Sequence, residues 1–402
     1  MQAGILSHRR ERLIQPTAAA PLAAFECSPQ PRLLFGPGTL GRLGDLAREF
    51  GASRVLLVTD PGLKRAGHPQ RAIAALQAAG IDVIVFDGVE ENPTERHVQA
   101  AVEVASRHKI DFFVAVGGGS SMDCAKGANF ILTNGGRMAD YQGFGKATSP
   151  MLPGIGVPTT AGTGSEAQSF ALIIDESTHM KMACGDRKVA FRAAILDPEV
   201  TVSQPPKVTA ITGIDALSHA LEAYVTTRRN LVSQLYARQA WQLLEANLET
   251  VLREPTNLEA RGAMQLGANL AGAAIENSML GACHACANPL TAHYGITHGV
   301  AIGLMLPHVI RFNAPAAAAL YGDLAHDAGL ANGDYAAGAE ALAGRISHLV
   351  KLAGLPSTLV ECGVSSGIIP VLADEATQQW TGKFNPRATG YAEFLTLYQQ
   401  AL

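Results

Sequence analysis

Cysteine is scarce: six residues in 402 are too few for a disulfide framework, so a reducing, cytoplasmic setting is expected. No uninterrupted apolar run reaches the ~18 residues of a membrane span, so no membrane partner is expected. No block of like charge or basic stripe stands out, and the net charge is −4, which leaves no electrostatic case for nucleic acid. Aromatic residues reach only 6%. What is plentiful is apolar residue, 48% of the chain, with 41 glycines, the make-up of a folded globular protein. A length of 402 residues exceeds one ordinary core and favours two domains.

Near the start, His8-Arg9-Arg10-Glu11-Arg12 precedes an alanine-rich stretch. A signal peptide has that order, but Gln15, Pro16, Thr17 and Pro21 interrupt the apolar part. Residues 1–30 are expected to form an extension outside the fold.

Strand and helix patterns then alternate. Residues 54–59, 82–86 and 111–116 are short apolar runs bounded by turn residues. Residues 70–79 and 94–108 have helical periodicity, the second with Thr94 as N-cap. This βαβαβ succession implies an α/β domain with a parallel, doubly wound, Rossmann-like sheet. After residue 207 strand-like runs become scarce, and long alanine- and leucine-rich helical stretches take over at 213–225, 233–249 and 258–277. Pro205-Pro206 resists either regular structure and marks the expected boundary. The division is therefore a dinucleotide-binding α/β domain over 31–205 and an all-α, metal-binding domain over 206–402.

Two glycine-rich segments compete for a dinucleotide pyrophosphate. Gly36-Pro-Gly38-Thr-Leu-Gly41 is formally a GxGxxG, but Pro37 removes a backbone donor from the turn. Gly117-Gly118-Gly119-Ser120-Ser-Met-Asp123 directly follows a strand and opens a helix. Its glycines let the backbone approach an anion, and the helix start offers free N–H groups. A second loop, Pro158-Thr159-Thr160-Ala-Gly-Thr163-Gly-Ser-Glu166, carries hydroxyls suited to phosphate or ribose. Asp60 ends a strand, where a carboxylate would bind ribose hydroxyls and repel a 2′-phosphate, favouring NAD over NADP. A turn or capping aspartate before Pro-Gly is the competing reading.

Thr212-Gly-Ile-Asp215-Ala-Leu-Ser-His219-Ala-Leu-Glu222 reads as the start of a helix. Asp215 and His219 are four residues apart and share one face. Gly281-Ala-Cys-His284 and Gly295-Ile-Thr-His298 add two imidazoles. One carboxylate and three imidazoles suit Fe(II), Zn(II), Mn(II) or Co(II). Cys283 and Cys286 flank His284 but have no second CxxC partner, and they read as small packing residues. His308 and His326 are further histidines, with packing the better reading of His308.

With these motifs in hand, the sequence resembles the group III, iron-containing alcohol dehydrogenases. Gly117–Lys126, Pro158–Glu166, Thr212–Glu222, His298-Gly299 with Leu306-Pro-His-Val309, and Asn385-Pro386-Arg387 carry the resemblance. It implies a Rossmann-like domain and a helical domain with the active site between them, often in a dimer or larger homo-oligomer. It puts the pyrophosphate on Gly117–Ser120, the adenosine side at Asp60, and cofactor contacts at Asn92, Thr159, Thr160, Thr163 and Lys181. It puts the metal, Fe(II) or Zn(II), on Asp215, His219, His284 and His298. Many members carry a second histidine four residues after the third ligand; here that position is Asn288. Asparagine hydrogen-bonds but does not shuttle protons near neutral pH, which leaves His293 or water for that task. The implied reaction is hydride transfer between a small alcohol or aldehyde and NAD. Relatives acting on oxoacids (maleylacetate reductases and hydroxyacid–oxoacid transhydrogenases) form the alternative, with Arg187, Lys188 or Arg192 as carboxylate binders.

Overall fold

The computed structural model describes residues 24–28, 31–178, 180–331 and 337–402. The extension expected over 1–30 lies outside the described residues except for 24–28. There the Ser28 amide donates to Asn277 Oδ1 at 2.8 Å, and Glu26 pairs with Arg187 at 2.6 Å.

Among the described residues the first half holds nine strands: β1 (Arg32–Phe35), β2 (Arg54–Val58), β3 (Asp82–Phe86), β4 (Phe112–Gly117), β5 (Gly143–Phe144), β6 (Gly154–Pro158), β7 (Phe170–Ile174), β8 (Lys181–Gly185) and β9 (Ala193–Leu196). Between them run α1 (Leu43–Glu49), α2 (Pro61–Ala66), α3 (His68–Ala78), α4 (Glu95–His108) and α5 (Gly119–Asn134). Six strands form one parallel sheet in the order β1-β9-β6-β4-β2-β3. The apolar runs of β2 and β4 follow from burial on both faces. Leu56, Phe113, Val98 and Met122 pack on one side of the sheet; Leu57, Val114, Leu43 and Leu76 pack on the other. Strand order reverses between β2 and β4, so the crevice where such sheets bind ligands opens at the carboxyl ends of these two strands. The small sheet β5-β8-β7 was not expected from the sequence.

The second half is helical: α6 (Pro206–Val225), α7 (Leu231–Arg253), α8 (Leu258–Glu276), α9 (Ala282–Tyr294), α10 (His298–Asp327), α11 (Gly338–Leu352), α12 (Ile369–Gln378) and α13 (Tyr391–Ala401). Two expectations need correcting. Pro206 does not resist the helix but starts it, because a first-turn proline has no intrahelical N–H bond to lose. The Thr212–Glu222 motif consequently lies in the middle of α6, not at its beginning. Helix α10 is long and apolar enough to cross a membrane, but 67% of its apolar window is buried inside the fold. It packs against α6, α9 and α11 in the helical core.

The halves meet where the 163–169 loop crosses α8. Gly164 has φ +60°, and a Cβ there would lie 2.7 Å from Gly272 Cα. Asn269 donates to Glu166 Oε1 at 3.0 Å, and Ser169 Oγ donates to Glu276 at 2.6 Å. Gln265 donates to the Pro158 carbonyl at 2.8 Å. Together these contacts fix the second loop against the helical half.

Candidate active site

The Gly117–Gly119 segment leaves β4 and enters α5, and among the described residues no side chain caps that helix. Its first N–H groups therefore face the crevice with the positive end of the helix dipole behind them. Glycine is required by close approach: a Cβ on Gly119 would lie 2.7 Å from Thr163 Cγ2. Asn92 holds a left-handed conformation at φ 55°, and its amide donates to Ser120 Oγ at 3.3 Å. Below the loop, Lys126 is 1% exposed and donates to Ser165 O, Ser165 Oγ and Phe170 O at 2.6, 2.9 and 2.9 Å. Ser165 Oγ donates in turn to Asp123 Oδ1 at 2.7 Å. Burial raises the Asp123 pKa and lowers that of Lys126, each partly offset by the other's charge. This buried network locks the two phosphate-side loops together.

A cleft of about 580 Å³ runs from these loops to the helical half. Gly118, Gly119, Ser120, Thr160 and Thr163 line one end, with Asn92 and Asp123; Asp215, His219, His284 and His298 line the other. Lys181 also lines the cleft. Burial pulls its pKa down, against the opposing pull of Asp215, Asp123 and Glu91. Thr159 is buried and ties β6 to β4 through its amide and the Gly117 carbonyl at 2.9 Å, and neither residue lines the cleft.

At the far end, ligand atoms of Asp215, His284 and His298 lie within 4.8 Å of one another, and His219 adjoins two of them. Asp215 Oδ1 lies 3.5, 3.8 and 3.7 Å from the Nε2 atoms of His219, His284 and His298. The Nε2 atoms of His219 and His284 are 3.1 Å apart. Ligands about 2.1 Å from one tetrahedral ion would sit about 3.4 Å from each other, so these separations match a common cation. Asp215 Oδ1 is buried without a hydrogen-bond donor, which a cation would satisfy. Burial lowers the pKa of His219 and drives that of His298 well down, so both present neutral imidazole. The residues thus fit a divalent metal.

Glu222 completes the arrangement and was not singled out from sequence. Its Oε2 lies 2.5 Å from His284 Nδ1, and its Oε1 accepts from the Cys283 amide at 2.7 Å. The carboxylate fixes the His284 proton on Nδ1 and leaves the Nε2 lone pair facing the other donors. The signal was present: Asp215, His219 and Glu222 are spaced i, i+4, i+7 on one face of α6.

Other expected residues fall elsewhere. Asp60 caps α2, accepting from the Gly62 and Leu63 amides at 2.8 and 3.0 Å, at the carboxyl end of β2. In the competing turn, the amides of Gly38 and Leu40 already donate to Asp197 at 3.1 Å each, so an internal carboxylate occupies the place of an anion. Neither Asn288 nor His293 lines the cleft. Asn288 donates to Gln379 at 2.9 Å, and His293 pairs with Glu375 at 2.8 Å in an exposed position. Arg187 is paired with Glu26 and Lys188 with Asp186, and neither they nor Arg192 line the cleft, which removes support for a carboxylate-binding pocket there. Cys283 and Cys286 are buried free thiols, as expected of packing residues.

Comparison with known proteins agrees with this geometry. Residues 29–198 match the family described as iron-containing alcohol dehydrogenase, and residues 209–402 match the C-terminal region of the Fe-containing alcohol dehydrogenase family. The chain is 38% identical over 371 residues to alcohol dehydrogenase 4 of Schizosaccharomyces pombe, covering 92% of this chain and 87% of that protein. It is 34% identical to the NAD-dependent methanol dehydrogenase of Bacillus methanolicus, over 92% of this chain and 98% of that one. The crystal structure of a 1,3-propanediol oxidoreductase superposes with a TM-score of 0.91 at 34% identity, over 94% of this chain and all of the other. With its parallel-sheet half, its helical half and its Asp-His-His-His cluster, the chain belongs to the iron-containing alcohol dehydrogenase family of oxidoreductases.

Proposed function

We propose that this protein moves a hydride between a small alcohol or aldehyde and NAD, and that Asp215, His219, His284 and His298 hold the divalent metal, Fe(II) or Zn(II). The carrying observation is one cleft with an uncapped helix start at one end and, at the other, the Asp215, His284 and His298 donors with His219 beside them. When bound, the metal supplies a Lewis acid for the substrate oxygen and the nicotinamide supplies or takes the hydride.

The chain's own residues prepare this chemistry. The amides opening α5, with Ser120, Thr160 and Thr163, take the pyrophosphate side. Asp60 gives the adenosine side a negative charge that opposes a 2′-phosphate, which favours NAD. Glu222 holds the His284 proton away from the cleft. Lys181 also lines the cleft, where burial disfavours its charged form and Asp215 favours it. Asn288, joined to Gln379, and His293, paired with Glu375, lie outside the cleft and are given no part in the chemistry.

The dinucleotide unit is read as 31–205 and the metal-binding unit as 206–402, because β1 to β9 fall in the first and α6 to α13 in the second. Leu33 and Phe35, 41% and 47% exposed on the edge strand β1, support a homo-oligomer. Six free cysteines support a cytoplasmic setting. His284→Ala is expected to lose metal and turnover while still binding dinucleotide. Full turnover in that variant, or in chelator-treated protein, refutes the reading.

A further inference from the structure

The Asn385-Pro386-Arg387 motif takes no part in the cleft, yet Asn385 is 5% exposed and fully engaged. Its Oδ1 accepts from the Ala282 amide at 3.2 Å and from Asn313 Nδ2 at 3.0 Å. Its Nδ2 donates to Asn313 Oδ1 at 2.6 Å and to the Arg387 carbonyl at 2.7 Å. Asn313 is 1% exposed and lies on α10, the helix that begins with His298. Ala282 begins α9, two residues before His284. One buried amide pair therefore ties together the C-terminal segment and both helices that carry the later histidines.

Glu222 and Asn385 grip the same turn. Asn385 holds the amide of Ala282, and Glu222 holds that of Cys283. Gly281 sits between the two side chains. A Cβ there would come 2.9 Å from Asn385 Oδ1 and 3.0 Å from Glu222 Oε1. The segment before Asn385 is itself anchored, since the Phe384 carbonyl accepts from the Thr227 amide at 2.8 Å and from Thr226 Oγ1 at 3.0 Å, just past the end of α6. The clamp is thus referenced to the helix bearing Asp215 and His219.

We propose that Asn385, with Asn313, is a positioning residue for the metal centre: it fixes the first turn of α9 against α6 and α10 and so sets where His284 points. It touches neither metal nor substrate and acts through the Ala282 amide and the Gly281 turn. The proposal rests on the reading that the Asp-His-His-His cluster holds a divalent metal.

The test follows release of Zn(II) from the loaded full-length protein to a chromogenic chelator, with NAD affinity and Tm measured alongside. Asn385→Ala, Asn313→Ala and Gly281→Ala are expected to speed release, or weaken Zn(II) affinity, by about 10–100-fold, with NAD affinity unchanged. Gly281→Ala removes no hydrogen-bonding group but presses on Glu222 as well as on Asn385, so Asn313→Ala, which leaves Glu222 untouched, decides if Asn385→Ala does not fold. Leu76→Ala, a cavity in the other half of the chain, serves as a control that lowers Tm without changing release. Wild-type release rates in Asn385→Ala and Asn313→Ala overturn the proposal. So does equal acceleration in Leu76→Ala at the same loss of Tm, which would make the effect one of general stability. Failure of the wild-type protein to retain Zn(II) or Fe(II) would refute the metal reading instead.

Discussion

Glu222→Gln isolates the charge behind His284 while keeping the shape of the side chain. Both Glu222 oxygens are occupied, one by Nδ1 of His284 at 2.5 Å and one by the Cys283 N–H at 2.7 Å. A glutamine supplies one acceptor and one NH2, so one of these two donors must face another donor. If the NH2 turns to Cys283, the first turn of α9 loses a charge-assisted bond worth about 1.5–3 kcal/mol. If it turns to His284, the imidazole moves its proton to Nε2 and withdraws the lone pair aimed at the cluster. The first outcome corresponds to roughly a tenfold to hundredfold weaker metal site, since 1.4 kcal/mol is tenfold. That agrees with the usual effect of removing a carboxylate behind a ligating histidine. The second outcome is more severe. Zn(II) affinity by chelator competition measures the loss, with NAD binding as the control for folding. Unchanged Zn(II) affinity in Glu222→Gln would refute the assignment of Glu222 as the residue that orients His284.

Three further outcomes are expected. Gly119→Ala places a methyl 2.7 Å from Thr163 Cγ2 and should weaken NAD binding about tenfold, by loss of one charge-assisted contact at the helix start; Thr163→Ser, which removes that methyl, should restore part of the loss in a fluorescence titration, and an unaffected Gly119→Ala would refute the phosphate-loop assignment. Gly272→Ala puts a Cβ 2.4 Å from the Gly164 carbonyl oxygen and should cost about 1–3 kcal/mol of stability by urea unfolding; an unchanged unfolding midpoint would show that the crossing is not tight. Metal-free protein should lose stability as pH falls below about 6.5, because the unfolded chain's histidines protonate there while His219 and His298, with their depressed pKa, stay neutral. Added Zn(II) should shift that loss to lower pH in thermal melts, and a pH-independent melt of the metal-free protein across this range would contradict the burial argument.

What was legible in the sequence followed from periodicity and spacing within one element. Strand β3 falls on its predicted residues, and β2 and β4 end within a residue of theirs, because a buried parallel strand is a short apolar run between turn residues. Asp215 and His219 could be paired because four residues separate neighbours on a helix face. The same rule reached Glu222 and was not carried far enough. Other features depend on contacts between distant segments, which local pattern does not encode. Asn385 meets the Ala282 amide across 103 residues, and Asp197 enters the Gly38 turn across 159. The GxGxxG at Gly36–Gly41 shows why this matters for function: its glycines give the right backbone, but a carboxylate from another strand's end has already taken its amides. At Gly117–Gly119 no described side chain caps α5, and the Lys126–Ser165–Asp123 network holds the neighbouring Thr160–Thr163 loop beside it without closing its amides. An anion site is therefore distinguished from a tight turn less by its glycines than by whether the rest of the chain leaves the amides free, and that condition is set by tertiary structure.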